Sequence, residues 1–382
     1  MKKMRLLTPG PTTIPEKVLV KFAEPIVHHR TSIFEAEFKE FQGQLQWLFE
    51  TKQSVITLAA TGTGAMDATV TNLFSPGDEV ITVNAGKFGE RWGKIAKAYF
   101  LEVHEIFVER GQAVNLSQIE AAFEAHPKAR AVLFQASETS TGVLMPVKAI
   151  ADFCRKKNIL SVCDGITAVG IFELPMDAWQ IDVLLTGSQK ALMLPPGLAF
   201  VAFSEHAWKA AETSKCPKFY FDLTREKKGQ DKQQSAWTPA ISLIQGGVVA
   251  LKMLQDQGRA ALFKNHERLA ACTRSAALAM GLELFSNAPS NALTPVRVPA
   301  NFSLDQGKKI QKIMQEKYGL IIMGGQDELV GKILRLSHFG YCDVFDIANG
   351  IAALELALKE LGHPIELGQG VSAVLKTYQE TA

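Results

Sequence analysis

Short continuous apolar runs alternate with stretches of helical period along this chain. From about residue 54 the order begins "SVITLAA", then a helical stretch opened by "TGTG" and starting near Ala65, then "DEVITVNA". A helical "ERWGKIAKAYF", "LEVHEIFV", a helical "LSQIEAAFEAH" and "ARAVLFQA" follow. A helical "PVKAIADFCRKKN", "ILSVCD", "IDVLLTG" and "GLAFVAFS" complete the series. The runs lack polar–apolar alternation, as expected of strands covered on both faces. Strands interleaved with helices predict an α/β domain with a mainly parallel sheet.

The pattern changes between about 210 and 240, where "KCPKFYFDLTREKKGQDKQQSAWTP" is polar and poor in period. It reads as an exposed segment or a subunit-contact loop. A helical run from about 239 to 280 then links to a smaller C-terminal α/β domain containing "NALTPVRVP", a helical "SLDQGKKIQKIMQEKYG" and "KILRLS". A final amphipathic helix carries Ile347, Ile351, Leu354, Leu358 and Leu361 on one face, and Gly362 and Pro364 stop it. The expected division is 1–263, an N-terminal arm and large domain, and 264–382, a small domain.

Composition narrows the function classes. The 382 residues are 47% hydrophobic and 21% charged, with a net charge of +2. Such a balance favours neither nucleic acid nor an anionic membrane as partner. No apolar run reaches membrane-spanning length, and "MKKMRLLTPGPTTIP" lacks the apolar core of a leader. Five scattered cysteines with no CxxC pair fit a reducing cytoplasm and no structural metal.

The expected strand ends read "TGTG", "NAGKFG", "SETSTG", "DGITAVG" and "GSQK". In open α/β sheets these ends form the ligand crevice. Each candidate has a plain alternative. Gly62 and Thr63 sit in a Gly-rich turn before a helix, which suits a phosphate or is simply a tight turn. Asp164 ends an apolar strand, where a carboxylate needs a cation or strong donors, or serves as a cap. Lys190 follows the next strand, where most lysines are merely solvated. Phe88 stands between glycines, either covering a flat ligand or filling core. Arg335 lies in an apolar strand of the small domain and needs an anion, from substrate or from structure. Taken together, lysine, acid, aromatic and phosphate-ready helix start match pyridoxal 5′-phosphate (PLP). Lysine forms a Schiff base with its aldehyde, and the acid keeps its ring nitrogen protonated.

"SETSTGVLMPV", "VCDGITAVG" and "TGSQKALMLPPGLAF", in that order, resemble the class V aminotransferases of PLP fold type I. The alanine–glyoxylate and serine–pyruvate aminotransferase branch is the nearest in pattern. The resemblance spans nearly the whole chain, with "TPAISLI" and "RLSHFGY" adding to it. It implies Lys190 as Schiff-base lysine, Asp164 as pyridinium partner and Phe88 as ring stack. Gly62, Thr63 and Gln189 are implied as phosphate contacts, and Thr139 as a contact near the ring hydroxyl. Thr238 corresponds to a residue reaching the neighbouring subunit's phosphate, which implies a homodimer. Arg335 corresponds to the substrate-carboxylate arginine.

Some relatives carry tyrosine three residues before the Thr238 position; here it is Ser235, with Trp237 able to fill part of the space. "TPGPTTIP" resembles the family's loop at the active-site entrance, without assigned chemistry. The implied reaction moves an amino group from alanine or serine to glyoxylate or pyruvate by a ping-pong route. The small donor rests on the resemblance and on Arg335 as the single obvious carboxylate clamp; no second arginine must serve a side-chain carboxylate, and Arg30, Arg91 and Arg225 are the ones the sequence leaves open. One rival is a lyase of the cysteine desulfurase or kynureninase kind. Desulfurases usually place histidines where this chain has Gln189 and Phe88, and Cys342 does not lie in their cysteine context. The other rival is a non-catalytic subunit that keeps the fold.

Overall fold

The computed structural model describes residues 3–381; Met1, Lys2 and Ala382, at the outer ends of the two expected domains, lie outside the described residues. The large sheet has seven strands: β1 Val55–Leu58, β2 Glu79–Asn84, β3 Glu102–Phe107, β4 Ala131–Gln135, β5 Leu160–Asp164, β6 Val183–Gly187 and β7 Ala199–Phe203. Their spatial order is β1-β7-β6-β5-β4-β2-β3. Every pairing is parallel except those of β7, which runs antiparallel to both β1 and β6.

Burial on both faces explains the apolar runs. Val132 and Phe134 enter the core beneath helix Ser32–Phe49, while Ala131 and Leu133 enter the core beneath helices Gly62–Leu73 and Lys87–Ala98. Successive side chains point to opposite faces, so a strand covered twice must be apolar throughout. β3 departs from this expectation. It is one of the two edge strands, and Glu102 and Phe107 are exposed.

Four other expectations are corrected. The helix after "TGTG" begins at Gly62, not near Ala65, because Thr61 already accepts the first intrahelical bond from the Ala65 N–H. The run 239–280 is two helices, Ile241–Gln257 and Arg259–Ala279, broken at Gly258 with φ +78°. The polar segment 210–240 contains helix Leu223–Gln230, whose Glu226 and Gln230 are buried. Gln230 donates to the Thr57 carbonyl and accepts the Thr57 N–H, so inward polar groups hide the usual apolar stripe. The helix expected to be last spans Val344–Glu360, and a further helix, Gln369–Glu380, packs against it and against Arg259–Ala279.

The C-terminal unit is built on an antiparallel sheet of Leu293–Arg297, Ile333–Ser337 and Met323–Gly324. Helix Arg259–Ala279 connects the two cores, with Leu262 in the first and Leu269 onward in the second. The start of the chain returns to this unit. Arg5–Leu6 pairs with Leu320–Ile321, and Leu7 packs into its core. Among the described residues no helix is long and apolar enough to cross a membrane. The architecture is the expected α/β one, a seven-stranded sheet that is mainly parallel, with a smaller C-terminal unit.

Candidate active site

β5 and β6 are neighbours, so Asp164 at the end of one and Lys190 just past the other open onto the same edge. Helices Gly62–Leu73 and Lys87–Ala98 begin at that edge. Between them lies a cavity of about 220 Å³. Its lining unites Gly62, Thr63, Phe88, Thr139, Asp164, Gln189 and Lys190 with Arg91, Ser137 and Thr167. Seven of the expected residues therefore meet in one place. A larger hollow of about 500 Å³ lies around Arg155, Asp182 and His206, at the opposite edge of the sheet.

Lys190 is buried. Its Nζ donates to the Pro9 carbonyl, and its own carbonyl accepts from Thr12 Oγ1 at 2.8 Å. Burial pulls the ammonium pKa down to about 8, with Asp164 opposing and Arg335 and Arg91 assisting. Asp164 Oδ1 accepts the Ile166 N–H at 2.8 Å, and no donor reaches Oδ2 among the described residues. Burial pushes this carboxyl up to about 7; the Ile166 bond opposes the shift and Glu138 adds to it. Acid and amine are thus both displaced toward neutrality, the environment in which side chains exchange protons readily.

The loop "TPGPTTIP" forms the lid over Lys190. Gly10 has φ +116°, and a Cβ there would lie 2.5 Å from Lys190 Nζ. The sequence reading assigned this loop no chemistry; its glycine was the available signal.

The anion-ready end is the helix start. The first intrahelical bond comes from Ala65, so the N–H groups of Gly62, Thr63 and Gly64 precede the ladder. A Cβ on Gly62 would run into Ile166 of the cavity wall. Gln189 Oε1 is buried without a partner; an amide flip exchanges its acceptor and donor ends.

Phe88 is set by a residue that sequence reasoning missed. Glu138 is fully buried and accepts from the Phe88 N–H at 3.3 Å, the Gly89 N–H at 2.9 Å, the Ser140 N–H at 3.0 Å and Gln135 Nε2 at 3.1 Å. This carboxylate caps the start of helix Lys87–Ala98, where the dipole favours an anion. "SETSTG" marked the loop, but only tertiary folding brings Glu138 to that helix.

Thr139 is buried. Its Oγ1 shares a 2.7 Å hydrogen bond with Thr167 Oγ1, and its carbonyl accepts from Arg335 Nη1 at 3.1 Å. Arg335 Nε donates to the Gly324 carbonyl at 2.8 Å. Arg335 is buried, and desolvation lowers its pKa to about 10, with Glu138 opposing. It reaches the site's loop without lining the cavity. Thr238 is elsewhere, in a small hollow with Tyr220, Ser235 and Trp237; one chain alone does not bring it to Lys190.

Cys342 lies in a separate hollow, and burial pushes its thiol pKa up, which keeps it protonated. Glu79, His104 and His126 also cluster, at the sheet edge. The two imidazole rings are parallel with centroids 3.4 Å apart, so their in-plane lone pairs run side by side rather than converging on one ion.

Comparison with known proteins agrees with this geometry. The family model described as "Aminotransferase class-V" matches residues 6–341. The chain is 37% identical to the soluble hydrogenase 42 kDa subunit of Anabaena cylindrica, over 98% of this chain and 99% of that one. It is 32% identical to the L-aspartate–glyoxylate aminotransferase of Paracoccus denitrificans, over 98% and 96%. The crystal structure of ureidoglycine–glyoxylate aminotransferase from Bacillus subtilis superposes with TM-score 0.94 at 26% identity, covering 99% of each chain. Extensive match to the family model, together with relatives above 30% identity along nearly the whole length, places this chain among the class V aminotransferases, a family of PLP enzymes.

Proposed function

We propose that this aminotransferase binds PLP in the Lys190 cavity and moves the amino group of alanine or serine to glyoxylate or pyruvate. One observation carries the reading. A buried amine with pKa about 8 and a buried acid with pKa about 7 face one cavity whose far end is an uncapped helix start.

The cavity's own chemistry fits the cofactor. Gly62 leaves space a side chain would fill, and Gln189 has an amide to aim at an anion. Phe88 offers a flat face and Asp164 an oxygen without a protein donor. PLP, when bound, supplies a carbonyl carbon for the amino group and a ring that draws electrons from the substrate Cα. Lys190 holds the cofactor and, once displaced, takes the Cα proton on Nζ; a pKa near 8 leaves a usable fraction unprotonated at neutral pH. Asp164, as an anion, stabilises a protonated ring nitrogen, and that cation in turn favours ionised Asp164.

Arg335 receives the substrate carboxylate. Two of its nitrogens are fixed by the Gly324 and Thr139 carbonyls, while Nη2 has no partner among the described residues. The small donor follows from this single clamp. Arg30, bonded to Gln234, and Arg225, over Phe219 and Trp237, do not line the cavity, and Arg91 lines it with Nη1 held by Thr63 at the phosphate-ready end. A homodimer belongs to the proposal, with Thr238 serving the partner's site. Exposed Phe219 and Tyr220 beside Trp237 supply apolar surface near Thr238.

The Anabaena relative's name raises a second reading, a subunit of a hydrogenase. The poised Lys190–Asp164 pair favours catalysis. The absorption spectrum of the PLP-loaded protein tests both. Alanine or serine should bleach the near-visible band, and glyoxylate or pyruvate should restore it. A protein without such a band is the non-catalytic subunit. Dicarboxylic donors outrunning alanine and serine by a wide margin would overturn the small-donor reading.

A further inference from the structure

Arg91 stands three residues after Phe88 on helix Lys87–Ala98, so both side chains share one helix face. Its guanidinium carbon lies 4.9 Å from the Phe88 ring centroid. Its Nη1 donates to Thr63 Oγ1 at 2.9 Å, in the first turn of helix Gly62–Leu73. The C-terminal end of helix Lys87–Ala98 is tied to the middle of helix Gly62–Leu73 by Tyr99, whose hydroxyl donates to Asp67 at 3.0 Å. Arg91 is therefore the tie at the cavity end, touching the flat wall and the anion-ready wall at once.

We propose that Arg91 is a positioning residue of the cofactor pocket, bracing Phe88 and Thr63 at the separation that the cofactor's ring and phosphate require. This rests on the PLP reading above. The guanidinium suits the task because its plane lies over an aromatic face while an N–H at its edge remains free to donate. Lysine keeps the charge but cannot do both. Arg91 acts through the two walls it touches.

The test is PLP titration of the apoprotein, followed by fluorescence, for the parent, Arg91→Ala, Arg91→Lys and Thr63→Val. Arg91→Ala should weaken PLP about tenfold, the size expected for one partly solvated charged hydrogen bond and a cation–π contact. Arg91→Lys should recover less than half of that loss on a logarithmic scale. The Arg91→Ala/Thr63→Val double variant should lose less than the sum of the two singles, because both remove one bond. The PLP concentration that gives half-maximal activity should rise in step with the dissociation constant. Thermal melts of the apo forms check that each variant folds. Parent-like affinity in Arg91→Ala, full rescue by lysine, or strict additivity would each overturn the brace. A parent chain that binds no PLP would instead overturn the cofactor reading, and the brace with it.

Discussion

Asp164 and Asp182 are both buried acids on the large sheet, one closing β5 and the other preceding β6, at opposite edges. Asp182 is saturated. Its carboxylate accepts from the Ser161 N–H at 3.0 Å, Ser161 Oγ at 3.2 Å and Ser204 Oγ at 2.8 Å, and pairs with His206 Nδ1 at 3.1 Å. Asp164 has a single protein donor, the Ile166 N–H, and its pKa rises to about 7. A buried acid with every lone pair used holds strands together. A buried acid left under-bonded costs stability, and the deficit is one that a cationic ligand could relieve. The hollow beside Asp182 is the larger of the two, but the helix starting there is capped by Ser204, whereas the Asp164 edge presents an amine, an acid and a helix start left unfinished.

The largest effect should come from Lys190, which completes that edge. Lys190→Ala should lower kcat by at least about 10³, within the span of a positioned general base and covalent anchor. Borohydride reduction and peptide mapping of the parent should place the pyridoxyl group on Lys190. Label on another lysine would move the active edge elsewhere.

Arg335 should follow. Arg335→Ala should weaken carboxylate substrates by about one to two decades, the equivalent of 1.5–3 kcal/mol for a charged hydrogen-bonded pair. Arg335→Lys should not restore the lost fork geometry. Equal KM values in parent and Arg335→Ala would make Arg335 a purely structural tie between Gly324 and Thr139.

The paired acids give the direct contrast. Asp164→Asn should lower activity by about 10² or more while raising the apoprotein's melting temperature near pH 7.5, since a destabilising buried charge is removed. Asp182→Asn should do the reverse. It should lower stability by about 1–3 kcal/mol, because an amide NH₂ faces donors, and leave kcat of the folded fraction near the parent's. If both variants lose stability alike, the under-bonded acid is structural too.

Much of this was legible because it depends on local pattern. The runs "ARAVLFQA" and "ILSVCD" had to be apolar on both faces, so β4 and β5 could be read from sequence. Lys190, Asp164, Phe88 and Gly62 could be found because strand ends in such sheets converge. The rest needed distant partners. Helix Leu223–Gln230 turns Glu226 and Gln230 inward, against the rule that polar residues face water. Gln369–Glu380 buries only Gly370 and Val374, too little to print a period. Glu138 reaches the Phe88 helix from 50 residues away, and Pro9 meets Lys190 from 181 residues away. Arg91 was visible only as one more arginine until Thr63 was placed beside it.

The pH dependence of stability has opposite sign for the two poised groups. Asp164 is raised from 3.8 to about 7, so between those values the native chain holds a proton that the unfolded chain has released. Stability is therefore lost as pH rises through that window. Lys190 is lowered from 10.5 to about 8, so between about 8 and 10.5 the unfolded chain holds the extra proton, and stability rises with pH. The apoprotein should accordingly show a minimum in melting temperature between about pH 7 and 8, where both groups are charged while buried. PLP should flatten it, because Lys190 becomes bonded and Asp164 gains a cationic partner. Lys190→Ala should remove the rise on the alkaline side, and Asp164→Asn the fall on the acid side. Asp182→Asn should leave the minimum in place and move the whole curve down. A minimum that survives in both active-edge variants would assign it to other groups and separate the catalytic edge from the cost of burying its charges.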